Sequence, residues 1–217
     1  MNNKLIGILA AIALGVCIYF LAFSTPTQAD YLPILGERDF QNGDTIYATV
    51  PKFKFINQDS AIVTEADYEN KVYVVDFFFT HCPTICPKVT KQMLRVYDTF
   101  KDESRVMLLS HSIDVKHDTV GRLREYANGI SIKAPKWNMV TGVKQEIYAI
   151  AKSYYSVAKE DADSPGGFDH SGRLILVDEA KHIRAFCDGT KPEEVDLFML
   201  QMKMLLNEKE KNPYKKR

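Results

Sequence analysis

An excess of charge of either sign is missing from this chain: 28 Lys and Arg stand against 28 Asp and Glu, for a formal net charge of zero. A protein that grips a phosphate backbone needs a basic surplus, so no nucleic-acid partner is expected. Cysteine is scarce, with four in 217 residues, too few for a domain held together by disulfides. No internal repeat and no low-complexity stretch is present. At 46% hydrophobic and 26% charged residues, the composition also excludes a disordered chain. The length suits one ordinary domain with extensions. Only one long apolar run occurs.

That run is Leu5 to Phe23, uncharged throughout. At about 1.5 Å per residue it spans roughly 28 Å, near the hydrocarbon thickness of a bilayer. Lys4 precedes it, while Ser24 to Gly36 holds no Lys or Arg, so the positive-inside rule leaves the N-terminus in the cytoplasm. Thr27-Gln28-Ala29 would serve as a cleavage site, but the apolar core is longer than a typical signal peptide's, and an uncleaved single-pass anchor over 1–24 is the reading taken. Cys17 is then a small membrane-buried residue. The rest faces outward from a bacterial cytoplasmic membrane, where the oxidising surroundings demand a reason for any free thiol pair.

Beyond the anchor, a linker with Pro26, Pro33 and Gly36 is expected over 25–45, a folded domain over 46–206 and a charged tail over 207–217. Lys52–Ile56 alternates and precedes Asn57-Gln58-Asp59-Ser60 and Ile62-Val63, a hairpin signal. Val72 to Phe79 is nearly all apolar and β-prone, as a strand buried on both faces requires. Helical periodicity predicts amphipathic helices over Lys88–Phe100, around Val120, Leu123 and Ala127, and around Val143, Ile147 and Ile150. Buried strands are expected at Val106–Leu109 and Trp137–Val140. A second hairpin, Leu174–Val177 with Ile183–Phe186, precedes a last helix opened by a capping box at Thr190-Lys191-Pro192-Glu193. This order predicts an α/β fold: a mixed sheet flanked by helices.

The chemistry sits just after the central strand, in Thr80-His81-Cys82-Pro83-Thr84-Ile85-Cys86-Pro87. Cysteines four apart share one face if the segment is helical, and their sulfurs could then form a disulfide or ligate one metal. Amides at a helix N-terminus stabilise the thiolate that either task needs.

FFFTHCPTICP resembles the SCO/SenC family of membrane-anchored, thioredoxin-fold copper proteins that assist cytochrome c oxidase assembly. The likeness continues through Ile113-Asp114 with Asp118-Thr119, Thr141-Gly142 and Asp169-His170, over about residues 50 to 206. It implies a thioredoxin-like sheet, one copper ion per chain, and Cys82, Cys86 and His170 as its ligands. The implied partners are the copper-site subunit of the oxidase, another copper chaperone, and the membrane through the N-terminal helix. Two thiolates and an imidazole suit reduced copper and tolerate the oxidised ion. Without the resemblance, His170 reads as an ordinary loop residue, as do His117 and His182; His81, beside Cys82, could tune the thiol or add a weak ligand but reads first as a solvent-facing loop residue, while His111 reads as a packed residue at the core's edge. Cys187 reads as buried and apolar, and Met199, Met202 and Met204 as core rather than a copper box.

Thr84 stands where many bacterial members carry an acidic residue, and Val115 where a proline is common. Asp76, six residues before Cys82 in an apolar strand, has two readings: a hydrogen-bonded carboxylate at a strand edge, or a buried proton acceptor for thiol exchange. Two functions follow, a copper metallochaperone or a thiol–disulfide oxidoreductase. Both use Cys82 and Cys86, and only the first needs His170. A peroxiredoxin-like peroxidase is a distant third, because Asp76 occupies the place of its proline.

Overall fold

β-prone and helix-period segments alternate along residues 31–208, which together with residues 7 and 12–16 are the part of the chain that the computed structural model describes. The chain divides after Asp30. Most of the apolar run from Leu5 to Phe23, Cys17 included, and the tail from 209 onward lie outside the described residues. Gly7 and residues 12–16 are helical. Among the described residues, no helix is long and apolar enough to cross a membrane.

The stretch expected as a linker is not irregular throughout. Arg38–Gln41 (β1) and Asp44–Tyr47 (β2) pair as an exposed antiparallel hairpin that crosses the expected boundary at residue 45. Asn42 and Gly43 turn it with φ of 52° and 83°, values that asparagine and glycine tolerate best. The periodicity of two had missed it because both strands are exposed, so no apolar face marks them.

Lys54–Asn57 (β3) and Ile62–Thr64 (β4) form the predicted hairpin, followed by a short 3₁₀ turn at Glu65–Tyr68 in which Asp67 accepts from the Thr64 amide at 2.7 Å. Val72–Phe78 (β5) is buried along its whole length. It leads through Cys86–Phe100 (α1) to Val106–Ser112 (β6), then through Val120–Gly129 (α2) to Trp137–Thr141 (β7). β5, β6 and β7 run parallel, as crossover helices require. Lys144–Ser153 (α3) follows, then the small hairpin Ala158–Glu160 (β8) with Phe168–His170 (β9). Arg173–Val177 (β10) and Ile183–Asp188 (β11) close the large sheet, and Pro192–Asn207 (α4) packs beside β11. The seven-stranded order is β11-β10-β5-β6-β7-β3-β4, with antiparallel strands on either side of the parallel core. This is the expected mixed sheet flanked by helices.

Two local expectations need correction. α4 does not open on a capping box: the Thr190 hydroxyl is drawn to Asp188 at 2.6 Å, and Glu194 accepts the Asp188 amide instead. His182 is not freely solvated, because its ring sits 3.6 Å from Asp178, which also holds the buried Arg184 at 2.9 Å. Arg184 in turn reaches the Leu32 carbonyl at 2.5 Å and Glu208 at 2.8 Å, tying the start of the domain to its end.

Candidate metal centre

β5 ends at the centre of the sheet and delivers the chain to a turn before α1. Cys82 lies in that turn, and Cys86 is the first residue of the helix. The pair therefore meets through a loop folded over a helix N-terminus rather than by sharing a helical face. The Cys86 amide donates to Cys82 Sγ at 3.4 Å, the helix-terminus contact that favours thiolate. Thr80 anchors the turn: its hydroxyl donates to Asp118 at 2.6 Å, its amide at 3.0 Å, and Ser112 donates to the same carboxylate at 2.6 Å. Asp118 is thus a loop clamp, and Thr119 is the residue that caps α2.

His170 comes from the far side, at the end of β9 opposite Ala158. Its Nε2 lies 3.1 Å from Cys86 Sγ and 3.9 Å from Cys82 Sγ, and the ring also hydrogen-bonds the Phe168 backbone. The Phe79 ring packs edge-on against it at 5.2 Å. Gly166, at φ 79°, lets β9's turn approach so closely that a Cβ there would lie 2.7 Å from the Phe79 ring. Both cysteines are free thiols, and the three donor atoms lie within 4.8 Å of one another. Around a metal with bonds of about 2.0–2.3 Å, sulfur and nitrogen donors stand roughly 3.5 Å apart, so the set fits one ion with little movement. A groove of about 300 Å³ lined by Phe79, Thr80, Cys82, Cys86, Pro87 and Tyr126 gives access to the sulfurs.

The two thiols differ. Burial works against ionising Cys82, but the amides of Cys86 and Thr84 outweigh it and hold its pKa below the ordinary value. Cys86 is pushed well up, first by burial and also by the charges of Cys82 and Asp76. Burial keeps His170 neutral, with its pKa lowered. Asp76 sits in the central strand and not at an edge; it is 3% exposed and accepts a very short hydrogen bond from Ser110. Its burial raises its pKa from 3.8 to about 7.

The SCO1/SenC family profile matches residues 42–204, most of the chain. The chain belongs to the SCO1/SenC family. Its similarity to the SCO1 protein homolog of Bacillus subtilis is 32% identity over 140 residues, covering 62% of this chain and 70% of that one. Among solved structures, BsSco superposes with a TM-score of 0.65 at 25% identity, over 74% of this chain and 95% of that one. Arabidopsis thaliana ScoI, solved with copper bound, gives a TM-score of 0.59 at 29% identity, over 73% and 97%. The SCO1/SenC fold thus accounts for the thioredoxin-like sheet.

Other features around the site of this SCO1/SenC chain arise from residues that only the fold brings together. His81 is 43% exposed and stands 3.5 Å from Asp114, and His117 binds the same carboxylate at 2.7 Å. A weak-ligand role stood beside the solvated reading for His81, while His117 was expected to be solvated; in the sequence only the spacing Asp114-x-x-His117 points to the shared carboxylate. His111 is not at the core's edge but fully buried among Phe53, Phe55, Phe77 and Tyr154, with neither ring nitrogen hydrogen-bonded. Cys187 and Met202 are buried in the core, and Met199 and Met204 are partly buried against that core.

Proposed function

We propose that this protein is a membrane-anchored copper metallochaperone that delivers one copper ion per chain to the dinuclear copper site of cytochrome c oxidase during assembly. The observation that carries the reading is the convergence of Cys82, Cys86 and His170 within 4.8 Å, with both cysteines lining a groove. Family membership supports it, as do the copper bound by A. thaliana ScoI and the description of BsSco among cytochrome c oxidase assembly proteins. Two thiolates and one imidazole hold a soft ion yet leave a coordination position for a receiving ligand. Loading requires both thiols to lose their protons, so Cys82 engages first and Cys86 follows as its proton departs. The apolar run from Leu5 to Phe23 serves as the anchor, with the N-terminus inside and the domain on the outer face of a bacterial cytoplasmic membrane. The copper-site subunit of the oxidase is the receiving partner, and a second copper chaperone is the donor.

A second reading rests on the unequal thiols and on Asp76. In it the Cys82 thiolate attacks a disulfide of the oxidase copper site or of a copper chaperone. Asp76 takes the Cys86 proton, the Cys86 thiolate attacks Cys82 Sγ and breaks its bond to the partner sulfur, and the partner leaves as a dithiol with the two electrons that the pair gives up in forming the Cys82–Cys86 disulfide. Copper affinity and the dithiol reduction potential measured on the full chain with His170→Ala separate the two. Large loss of copper affinity at an unchanged potential supports the chaperone. Unchanged copper affinity sinks the three-donor site.

A further inference from the structure

A second set of donors converges among the described residues: His81, Asp114 and His117 each offer one atom, all within 4.8 Å of one another. We propose that they form a second metal site, for a divalent transition ion of borderline softness, that works without the thiolates.

The pivot is Asp114. Its carboxylate is 2% exposed, and its Oδ2 faces His117 Nδ1 at 2.7 Å and His81 Nε2 at 3.5 Å. Donors bonded to one ion at about 2.0–2.1 Å stand roughly 3.3 Å apart in a tetrahedron, so these spacings bracket the geometry an ion imposes. The imidazoles, 43% and 61% exposed, are free to close the remaining distance, whereas the carboxylate is fixed. It is fixed because Asp114 forms a turn: its Oδ1 accepts the His117 amide at 3.3 Å, and its carbonyl accepts the Asp118 amide at 2.9 Å. The loop bearing His81 is tied to the same turn, since Thr80 binds Asp118. The two halves of the site thus share one clamp, so little ordering remains when an ion arrives. A buried carboxylate also gains from a fully charged partner.

The donor set fixes the class of ion. Two imidazoles and one carboxylate favour Zn(II) or Cu(II), while the soft ion that two thiolates select has no sulfur here. The exposed rings leave the remaining coordination positions open to water. Phe79 divides the centres, with its ring edge-on to His81 at 5.0 Å and to His170 at 5.2 Å. The second ion would therefore sit one residue from Cys82 without sharing a ligand with it.

The test uses the full chain without a purification tag, carrying Cys82→Ser and Cys86→Ser so that the outcome is independent of the thiolate site. Titration with Zn(II) alone, and with Cu(II) alone, at about pH 7.5 should give one equivalent per chain. The bound Cu(II) should show nitrogen hyperfine coupling from imidazole. Adding His81→Asn and His117→Asn should weaken binding by more than the roughly 10- to 100-fold typical of losing an outer partner, and abolish that coupling. In the wild-type background the same two substitutions should remove a second equivalent and leave the first. Absence of any ion on the serine variant, or affinity unchanged by both histidine substitutions, overturns the proposal.

Discussion

Asp76→Asn replaces a buried ionisable group with a neutral one of the same shape, and its effect on stability should depend on pH in a defined direction. In the folded chain the carboxyl ionises at about 7, against 3.8 for the free group, because β5 holds it 3% exposed. A pKa raised on folding gives stability that is complete below the unfolded value and is lost as pH rises through the folded one. The window is therefore about pH 4 to 7, and at roughly 1.4 kcal/mol per tenfold change in proton affinity the wild type loses about 4 kcal/mol across it. Asparagine has no such slope. Its carbonyl still accepts from Ser110, but its amide needs a new acceptor, at a cost of about 1–3 kcal/mol. The variant should thus be about 1–3 kcal/mol more stable than wild type above pH 8, and about 1–3 kcal/mol less stable near pH 4. Urea unfolding of the full chain in detergent measures this, followed by the fluorescence of Trp137, the one tryptophan. The probe is well placed, since Trp137 Nε1 donates at 2.8 Å to the same Ser110 hydroxyl that binds Asp76. Contributions from other titrating groups cancel in the difference. Parallel stability profiles for the two proteins from pH 4 to 8.5 would refute the reasoning.

His111→Phe should act at the opposite end of the scale: burial lowers the His111 pKa from 6.5 to about 3, so the wild type loses stability as pH falls from about 6.5. The variant should retain about 2–3 kcal/mol more at pH 4.5, read by the same urea titrations, and an equal acid loss in both proteins would contradict it. Arg184→Met strands the buried Asp178 and the partly buried Glu208 and should lower stability by about 3–5 kcal/mol in thermal or urea unfolding; a loss below about 1 kcal/mol would mean that the network is not structural. Gly166→Ala puts a methyl group 2.7 Å from the Phe79 ring at φ 79° and should cost about 1–3 kcal/mol. The same change should weaken copper binding, because Phe79 supports His170; wild-type affinity would show that Phe79 does not position the histidine.

Buried elements were readable in the sequence, and exposed or convergent ones were not. β5 announced itself because a strand covered on both faces needs an unbroken apolar run, and Asp76 stood out as the exception to it. The cysteines were visible because they are local to one turn. His170 reaches them from 84 positions away in the chain through a three-residue strand that carries no periodicity, so only the family likeness pointed to it. The β1–β2 hairpin escaped for the converse reason, being short and exposed on both faces. The clamp that Asp118 places on Thr80 and Ser112 joins separate loops, so nothing local in the sequence marks it.

Asp76 and His111 lie on adjacent central strands, Asp76 opposite Ser110 and His111 opposite Phe77. Neighbouring residues on one strand point to opposite faces, so the two groups are buried on different sides of the sheet. Each disfavours its charged form, and their pH windows overlap between about 4 and 6.5 with opposite slopes. Above that overlap, only Asp76 still ionises, at the pH where a thiol must give up a proton. A carboxyl with a pKa of about 7 is close to the optimum for taking that proton near neutrality. A carboxylate serving only as structure would be better replaced by asparagine at every pH above 7. The stability gain predicted for Asp76→Asn is therefore also a measure of what the fold gives up to keep an acid whose charge is felt at Cys86. If that gain is found and thiol exchange slows in the same variant, the carboxyl is kept for chemistry. If exchange is unchanged, the second reading loses its proton acceptor, and Cys82, Cys86 and His170 stand as a metal site alone.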